Sequence, residues 1–327
     1  MKIGTIGTGV IVETFLEAVS EVQNVECTAV YSRKEETARK LADKFQIRLI
    51  YTDVDAMLED DQVDFIYVAS PNSLHYEYTL KALQKGKNVI CEKPFTSTIE
   101  ESEELIALAK KNRLFLFEAI TTLHFPNFKR IKELLPTLGD VKIVQCNYSQ
   151  YSSRYDKLMA GEVTNVFDPA FSGGSLVDIN IYNLHFVIGL FGEPESVEYI
   201  PNKAANGIDT SGIALLKYDR FVSTCAGAKD SHSPSFAVIQ GTKGYIKVAS
   251  SSNECSSFEM GIGEAVVTYN EQKSANRMVY EVMDFEKAYR QGDLEKSRDW
   301  MEHSLRVMRT VVRAREDAGI IFDADRR

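Results

Sequence analysis

The chain is poor in histidine, cysteine and positive charge, and each shortage removes a class of function. Its 327 residues include five histidines and five cysteines. No two histidines stand at H-x-x-x-H spacing and no two cysteines at C-x-x-C spacing, so no metal site is expected. Cys27, Cys91, Cys146, Cys225 and Cys255 form an odd, dispersed set, which fits reduced thiols in a cytoplasm better than a disulfide framework. Acids outnumber bases by 47 to 38, for a formal net charge of −9; this speaks against nucleic acid as a partner. No apolar run approaches the length of a membrane span. The opening residues read as a strand, with no charged and apolar leader ahead of it. The expectation is a cytoplasmic protein with no membrane partner. There is no internal repeat and no Pro/Gly/Ser-rich linker.

The remainder is ordinary globular composition, 44% hydrophobic and 26% charged, in a chain long enough for two cores. Residues 1–120 alternate strand and helix. Lys2–Ile6, Val25–Tyr31, Val63–Ala69, Asn88–Cys91 and Leu114–Phe117 read as strands. Glu13–Val22, Lys34–Phe45, His75–Gln84 and Ile99–Lys111 read as helices, the last capped by Thr98. The nearly unbroken apolar run of Val63–Ala69 suits a strand buried on both faces. Such alternation predicts a doubly wound parallel sheet. Residues 121–327 change character. Val141–Tyr151, Glu195–Ile200, Ser211–Tyr218, Phe221–Ala228 and Phe236–Ser250 read as antiparallel strands, with Gly241 and Gly244 at a tight hairpin. Met301, Leu305, Met308 and Val312 recur at helical spacing. The predicted fold class is therefore α/β: an N-terminal dinucleotide-binding domain over residues 1–120, and over residues 121–327 an α+β domain with a large open, mainly antiparallel sheet for substrate and oligomerisation.

The first strand runs into Gly7, Thr8, Gly9, Val10 and Ile11, a G-x-G-x-x-G fingerprint whose third glycine is replaced by Val12. In that motif the first glycine permits the tight turn, the second lets pyrophosphate approach the backbone, and the third allows close packing of helix on strand. Only the third is altered, so the phosphate site at the helix N-terminus survives. After the second strand comes Ser32-Arg33-Lys34, where an NAD site usually has an acid. A hydroxyl and a guanidinium suit a 2′-phosphate, so NADP is the preferred cofactor and NAD the alternative. Arg33-Lys34 as a plain solvated helix start is the competing reading. Lys93, in "CEKP", follows a buried strand at the edge where open α/β sheets bind ligands. Beside a cationic ring such a lysine is suited to proton transfer. Ser70, Asn72 and His75 lie at the end of the preceding strand, on the same edge.

The stretches "GTGVI", "SPNSLH", "CEKP", "FEAI", "LGDV", "FDPAFSGGSLVDINIYNLH" and "GTKG" occur in this order along nearly the whole chain. Together they resemble the glucose–fructose oxidoreductase / inositol dehydrogenase / MocA (Gfo/Idh/MocA) family. Within it they are most similar to the dimeric dihydrodiol dehydrogenase and NADP-linked xylose dehydrogenase branch. The resemblance implies an NAD(P)-dependent oxidoreductase that moves a hydride between nicotinamide and a sugar, polyol or related CH–OH or carbonyl substrate. It implies Lys93 and Tyr182 as the proton-handling residues, with Asp178 orienting lysine or substrate. Cofactor contacts are implied at Gly7, Thr8, Gly9, Val10, Ile11, Ser32, Arg33, Ser70, Asn72, His75, Glu92 and Lys93. Substrate contacts fall at Thr121, His124 and His185, the last of which could equally be a satisfied core group. Helical spacing puts Asp178 and Tyr182 on one face, with His185 beside them. A homodimer or larger homo-oligomer through the second sheet is also implied. Two departures stand out. Thr121 and Leu123 replace the Trp and Arg of the dihydrodiol branch, removing an aromatic wall and a cation. Asn180 replaces a glycine. Competing readings are a non-enzymatic NADP sensor on the same fold and a reductase of a non-sugar carbonyl.

Overall fold

A computed structural model describes residues 1–326. In the first half the elements are β1 (Lys2–Ile6), α1 (Val10–Glu21), β2 (Glu26–Tyr31), α2 (Glu35–Phe45), β3 (Leu49–Tyr51), α3 (Val54–Leu58), β4 (Phe65–Val68), α4 (His75–Gln84), β5 (Asn88–Glu92), α5 (Ile99–Asn112) and β6 (Leu116–Ala119). The six strands pair in parallel in the order β3-β2-β1-β4-β5-β6, the doubly wound arrangement whose strand order reverses between β1 and β4. Thr98 and Glu101 close a reciprocal capping box at the start of α5. β3 and α3 are additions to the predicted set; at three and five residues they are too short to show a period.

The second half continues with α6 (Pro126–Leu134), β7 (Val141–Ser149), α7 (Ser153–Met159), α8 (Ile181–Phe191), β8 (Ser196–Lys203), β9 (Asp209–Lys217), β10 (Val222–Ala228), β11 (Phe236–Gly241), β12 (Gly244–Val248), β13 (Phe258–Ile262), β14 (Ala265–Tyr269), α9 (Val279–Gln291) and α10 (Leu294–Asp317). Eight strands form one sheet, β14-β13-β12-β11-β7-β10-β9-β8. It is antiparallel except for β7 and β10, which run side by side in parallel. Its two faces differ. Val144, Cys146, Ala214, Leu216, Cys225, Ala237 and Ile239 point inward and are buried. Ile143, Ile200, Ile213, Leu215 and Val222 occupy the opposite face and stay exposed, at 37% or more, and Ile143–Val222 and Ile200–Ile213 are cross-strand neighbours there.

The described chain divides into two compact units, residues 1–119 with 274–305, and residues 120–273 with 306–326. This differs from a single break at 120/121, because residues 274–305 return to the first unit. The reason lies in the apolar face of α9. Phe285 stacks on Phe117 of β6 at 4.4 Å, and Val279, Val282 and Ala288 join the same core as Phe15, Phe65 and Tyr67. Among the described residues one helical stretch, Pro169–Phe191, is long and apolar enough by composition to cross a membrane, and 78% of its most apolar window is buried within the protein. Asp178, Asn180 and Asn183 interrupt it, so it is not an unbroken apolar run.

Candidate active site

In the first unit the site is built at the carboxyl ends of the parallel strands. Gly7 follows β1 with φ +120, and a Cβ there would lie 2.5 Å from the carbonyl oxygen of Ala69 at the end of β4. The turn therefore needs glycine both for its conformation and for its space. Gly9 starts α1 with nothing within 4 Å of where its Cβ would be, and no side chain caps the helix. An open glycine at an uncapped helix N-terminus is the cradle a pyrophosphate requires. Val10 is 81% exposed beside it, while Val12 is fully buried with Ile3, Phe15 and Tyr67. The missing third glycine is thus a core residue that fills the helix–sheet gap and leaves the phosphate side alone. Ser32 and Arg33 follow β2; Arg33 is exposed and forms no ion pair among the described residues.

Ser70 and Asn72 lie beyond β4, and His75 opens α4. His75 is 1% exposed. Its Nδ1 lies 2.8 Å from the Pro94 carbonyl and its Nε2 3.0 Å from that of Ser70. Burial, aided by Lys93 and opposed by the two carbonyls, lowers its pKa to about 4. The ring sits between the loop after β4 and the turn that carries Lys93, and in its neutral form donates to one of the two carbonyls. Lys93 is half-buried, and its backbone N–H donates to Glu92 Oε2. Tyr67 donates to Glu92 Oε1 at 2.5 Å.

Three buried carboxyls share this region. Burial raises Glu92, against the Tyr67 hydrogen bond and Lys93. Burial raises Glu118 to about 7. Glu281 of α9 is wholly buried, neither oxygen has a hydrogen-bond partner, and burial, with repulsion from Glu92 and Glu118, pushes it well above the carboxylate range against Arg277. Glu281 carried no signal in the sequence, since α9 itself was not foreseen.

In the second unit the motif "FSGGSLVDINIYNLH" forms one π-type turn, Leu176–Asn180, running into α8. Such a turn is often found at functional sites. Its start is fixed by Asp209, whose Oδ2 accepts from the Leu176 N–H at 2.6 Å and from the Tyr199 hydroxyl at 2.7 Å. Gly174, at φ +118, leaves room for that carboxylate. Asn180 packs where a Cβ on Gly227 would stand, and donates to the Cys225 carbonyl at 2.8 Å. The amide that replaces glycine therefore fastens the helix to β10.

Asp178 lies in the π turn, and Tyr182 and His185 in the first turns of α8. Asp178 forms an ion pair with Lys229, just past β10. The Tyr182 ring meets that of Tyr148 on β7, with centroids 6.0 Å apart. Tyr148 is in register with Gly227 across the parallel pair, so both contacts lie at one end of β7 and β10. His185 is fully buried. Thr121 and His124 are 4% and 2% exposed. Thr121 donates to the Asn253 carbonyl at 3.5 Å, and Asn253 Nδ2 donates to the Tyr148 hydroxyl at 3.0 Å. Lys229, Tyr148 and Asn253 were missed because their proximity depends on the β7–β10 parallel pairing, which no local pattern announces. Tyr148 and Lys229 bring an aromatic ring and a cation into this unit although Thr121 and Leu123 do not.

A doubly wound parallel sheet with a glycine turn after β1 and an uncapped helix N-terminus is the architecture of the dinucleotide-binding class. The chain belongs to the Gfo/Idh/MocA family: residues 1–119 match the model of the oxidoreductase family with NAD-binding Rossmann fold, and residues 128–247 match the GFO/IDH/MocA C-terminal domain. It is 36% identical over 333 residues to a scyllo-inositol 2-dehydrogenase (NADP(+)) of Bacillus subtilis (strain 168), covering 99% of each chain. It is 39% identical over 282 residues to an uncharacterized oxidoreductase of Escherichia coli (strain K12), covering 86% of each. The fold matches that of an aldose-aldose oxidoreductase from Caulobacter crescentus with a TM-score of 0.84 at 21% identity, over 97% of this chain and 98% of that one.

The Glu118 carboxyl yields a pH prediction. Its folded pKa of about 7 lies above the ordinary value of 4.5. Between these values only the folded chain holds the proton, so its contribution to stability falls as pH rises through that window and is lowest above about 7. Glu118→Gln should flatten this slope, and above pH 7 should gain up to about 3 kcal/mol over the wild type. Denaturant titrations near pH 5 and near pH 8 read the difference; equal slopes for both proteins would refute the assignment.

Proposed function

We propose that this NAD(P)-dependent oxidoreductase interconverts a secondary alcohol and a ketone on a sugar or cyclic polyol, with NADP as its preferred cofactor. The observation that carries the reading is Lys93 at the carboxyl end of β5, on the same strand-end edge as the Gly7–Ile11 cradle. The scyllo-inositol 2-dehydrogenase relative, matched along its whole length, supports a polyol as substrate class.

Bound NADP supplies or accepts the hydride. Gly9, Val10 and Ile11 hold the pyrophosphate through the open helix N-terminus, and Ser32 and Arg33 take the 2′-phosphate. Ser70, Asn72 and Glu92 line the cofactor edge, where His75 keeps the loop in place. In the oxidative direction the hydroxyl proton leaves as the C–H bond breaks, and Lys93 and Tyr182 receive and pass it on. Asp178 holds a neighbouring substrate hydroxyl. Thr121, His124 and His185 are the proposed substrate contacts of the second unit. The protein works in the cytoplasm, in keeping with five cysteines that are all free thiols.

Cofactor choice is tested by Arg33→Asp, which should reverse a preference for NADP, since a carboxylate repels the 2′-phosphate and accepts from ribose hydroxyls. Equal wild-type affinity for NAD and NADP removes the basis for the claim. The proton-handling assignment is tested by Lys93→Met and Tyr182→Phe. Each should keep NADP affinity within a few-fold and lower turnover by about 10²–10⁴-fold. The two losses should not add, because both residues act on one proton. Unchanged turnover in Lys93→Met on a confirmed substrate would end this mechanism.

Assembly follows from the exposed sheet face. Ile143, Ile200, Ile213, Leu215 and Val222 share one face of the second sheet, and contiguous apolar surface of this kind marks an interface. A homodimer through this face is the proposed state. Light scattering at micromolar concentration should give at least twice the 36.8 kDa chain mass, and Ile213→Glu should shift it to monomer; a monomeric wild type contradicts the proposal.

A further inference from the structure

Among the described residues, Arg130, Arg277, Arg313 and Arg315 each have an Nε that is buried without a hydrogen-bond partner. Three of them are held through their terminal nitrogens, by Glu133, Glu193 and Asp325. Arg277 is the exception. It is half-buried, and among the described residues its guanidinium forms no hydrogen bond and no ion pair. Taking such a group out of water without a partner is costly, and an incoming anion offsets that cost.

Two sets of contacts within the first unit say where Arg277 stands. One runs along α9. Tyr289 meets Phe115, just ahead of β6, with ring centroids 5.5 Å apart, and one turn earlier Phe285 stacks on Phe117. The helix therefore runs antiparallel to β6. A further turn back, Glu281 comes level with Ala119, the partner of Glu92 on β5. Arg277 lies four positions before Glu281, beyond the strand ends. The other set runs along α1. Asn276 Nδ2 donates to the Thr14 carbonyl at 2.9 Å, and Thr14 is one turn from Val10, to whose carbonyl its hydroxyl donates. Asn276 Oδ1 also accepts from the Met278 N–H at 3.0 Å, so the chain is tied on both sides of Arg277. The guanidinium is thus carried by a fixed stretch between the start of α1 and the turn of Glu92 and Lys93.

We propose that Arg277 is a cofactor-binding residue, whose guanidinium takes the pyrophosphate of the dinucleotide together with the uncapped start of α1. This rests on the reading of the protein as an NAD(P)-dependent oxidoreductase. The chemistry selects the pyrophosphate among the parts of the cofactor. It is the anion that a dinucleotide carries past the start of the first helix, and a guanidinium offers it a charge-assisted fork. The oxidised nicotinamide ring is itself cationic and gains nothing from a neighbouring guanidinium. The 2′-phosphate belongs at the end of β2, where Arg33 stands. Burial pushes Glu92 and Glu281 up, against the charge of Arg277, and neither carboxyl forms an ion pair with it among the described residues.

Binding of NADPH, followed by its fluorescence, and its displacement by two fragments test the assignment. 2′-Phospho-ADP-ribose keeps the pyrophosphate and lacks the nicotinamide; 2′-AMP keeps only the 2′-phosphate. Arg277→Met should weaken NADPH and 2′-phospho-ADP-ribose by the same factor, about tenfold or more, and leave 2′-AMP unchanged. Unchanged 2′-AMP binding also reports that the variant is folded. Arg277→Lys should lose part of the affinity for both pyrophosphate ligands, because an ammonium keeps the charge and lacks the fork; it serves alone if Arg277→Met does not fold. Wild-type affinity for both pyrophosphate ligands overturns the inference. So does a loss confined to NADPH, which places Arg277 at the nicotinamide, and so does an equal loss on 2′-AMP, which makes its role structural. In each of these cases the wild type still binds NADPH, and the oxidoreductase reading stands. A wild type that binds no nicotinamide dinucleotide overturns both.

Discussion

The carbonyl of Ala69 leaves no space for a side chain on Gly7, and much of the first unit follows from this contact. Because β1 and β4 are neighbours at the point where strand order reverses, the chain leaving β1 must turn against the end of β4 before it can enter α1. Only glycine meets both the positive φ and the clearance. Once the turn is made, α1 begins without a side-chain cap and with open space over Gly9. A polar side chain there would satisfy the helix end and occupy the phosphate position. The same crowding explains why Val12 is harmless: it lies on the inner side of α1, with Phe15 and Tyr67, away from the open turn.

The second unit solves a related problem differently. Its helix must begin where the chain has just made a glycine-rich turn, and must also face the ends of two parallel strands. Asp209 fixes the start by accepting from Leu176, while Asn180 and Asn183 bond the carbonyls of Cys225 and Ala226 on β10. With both ends of the first turns pinned, the extra residue is taken up in a π-type turn. Asp178 lies in that turn and pairs with Lys229.

Legibility in the sequence tracked how local the determining force was. The parallel sheet, the Thr98 cap and the helix His75–Gln84 were all written in short-range pattern, and the glycine fingerprint kept its meaning despite Val12. The strand ends then followed from topology, which placed Ser32, Ser70, Glu92 and Lys93 on one edge. What escaped was long-range. The return of α9 to the first unit depends on Phe285 finding Phe117, more than 160 positions earlier. The Lys229 contact depends on β7 and β10 lying parallel although most of the sheet is antiparallel. The π turn was invisible for another reason: helical spacing arguments assume a constant turn, and here the tertiary contacts of Asn180 override it.

Charge burial separates the two halves of the chemistry. Around Lys93 the carboxyls Glu92, Glu118 and Glu281 are all pushed toward their neutral forms, chiefly by loss of water. Loss of water disfavours the charged form at all three positions, and repulsion among the carboxyls adds to it at Glu118 and Glu281. Asp178, only partly buried, is held instead in an ion pair with Lys229. The chain thus meets buried charge in two ways, with carboxyls shifted toward the neutral form in the first unit and an ion pair at Asp178 in the second.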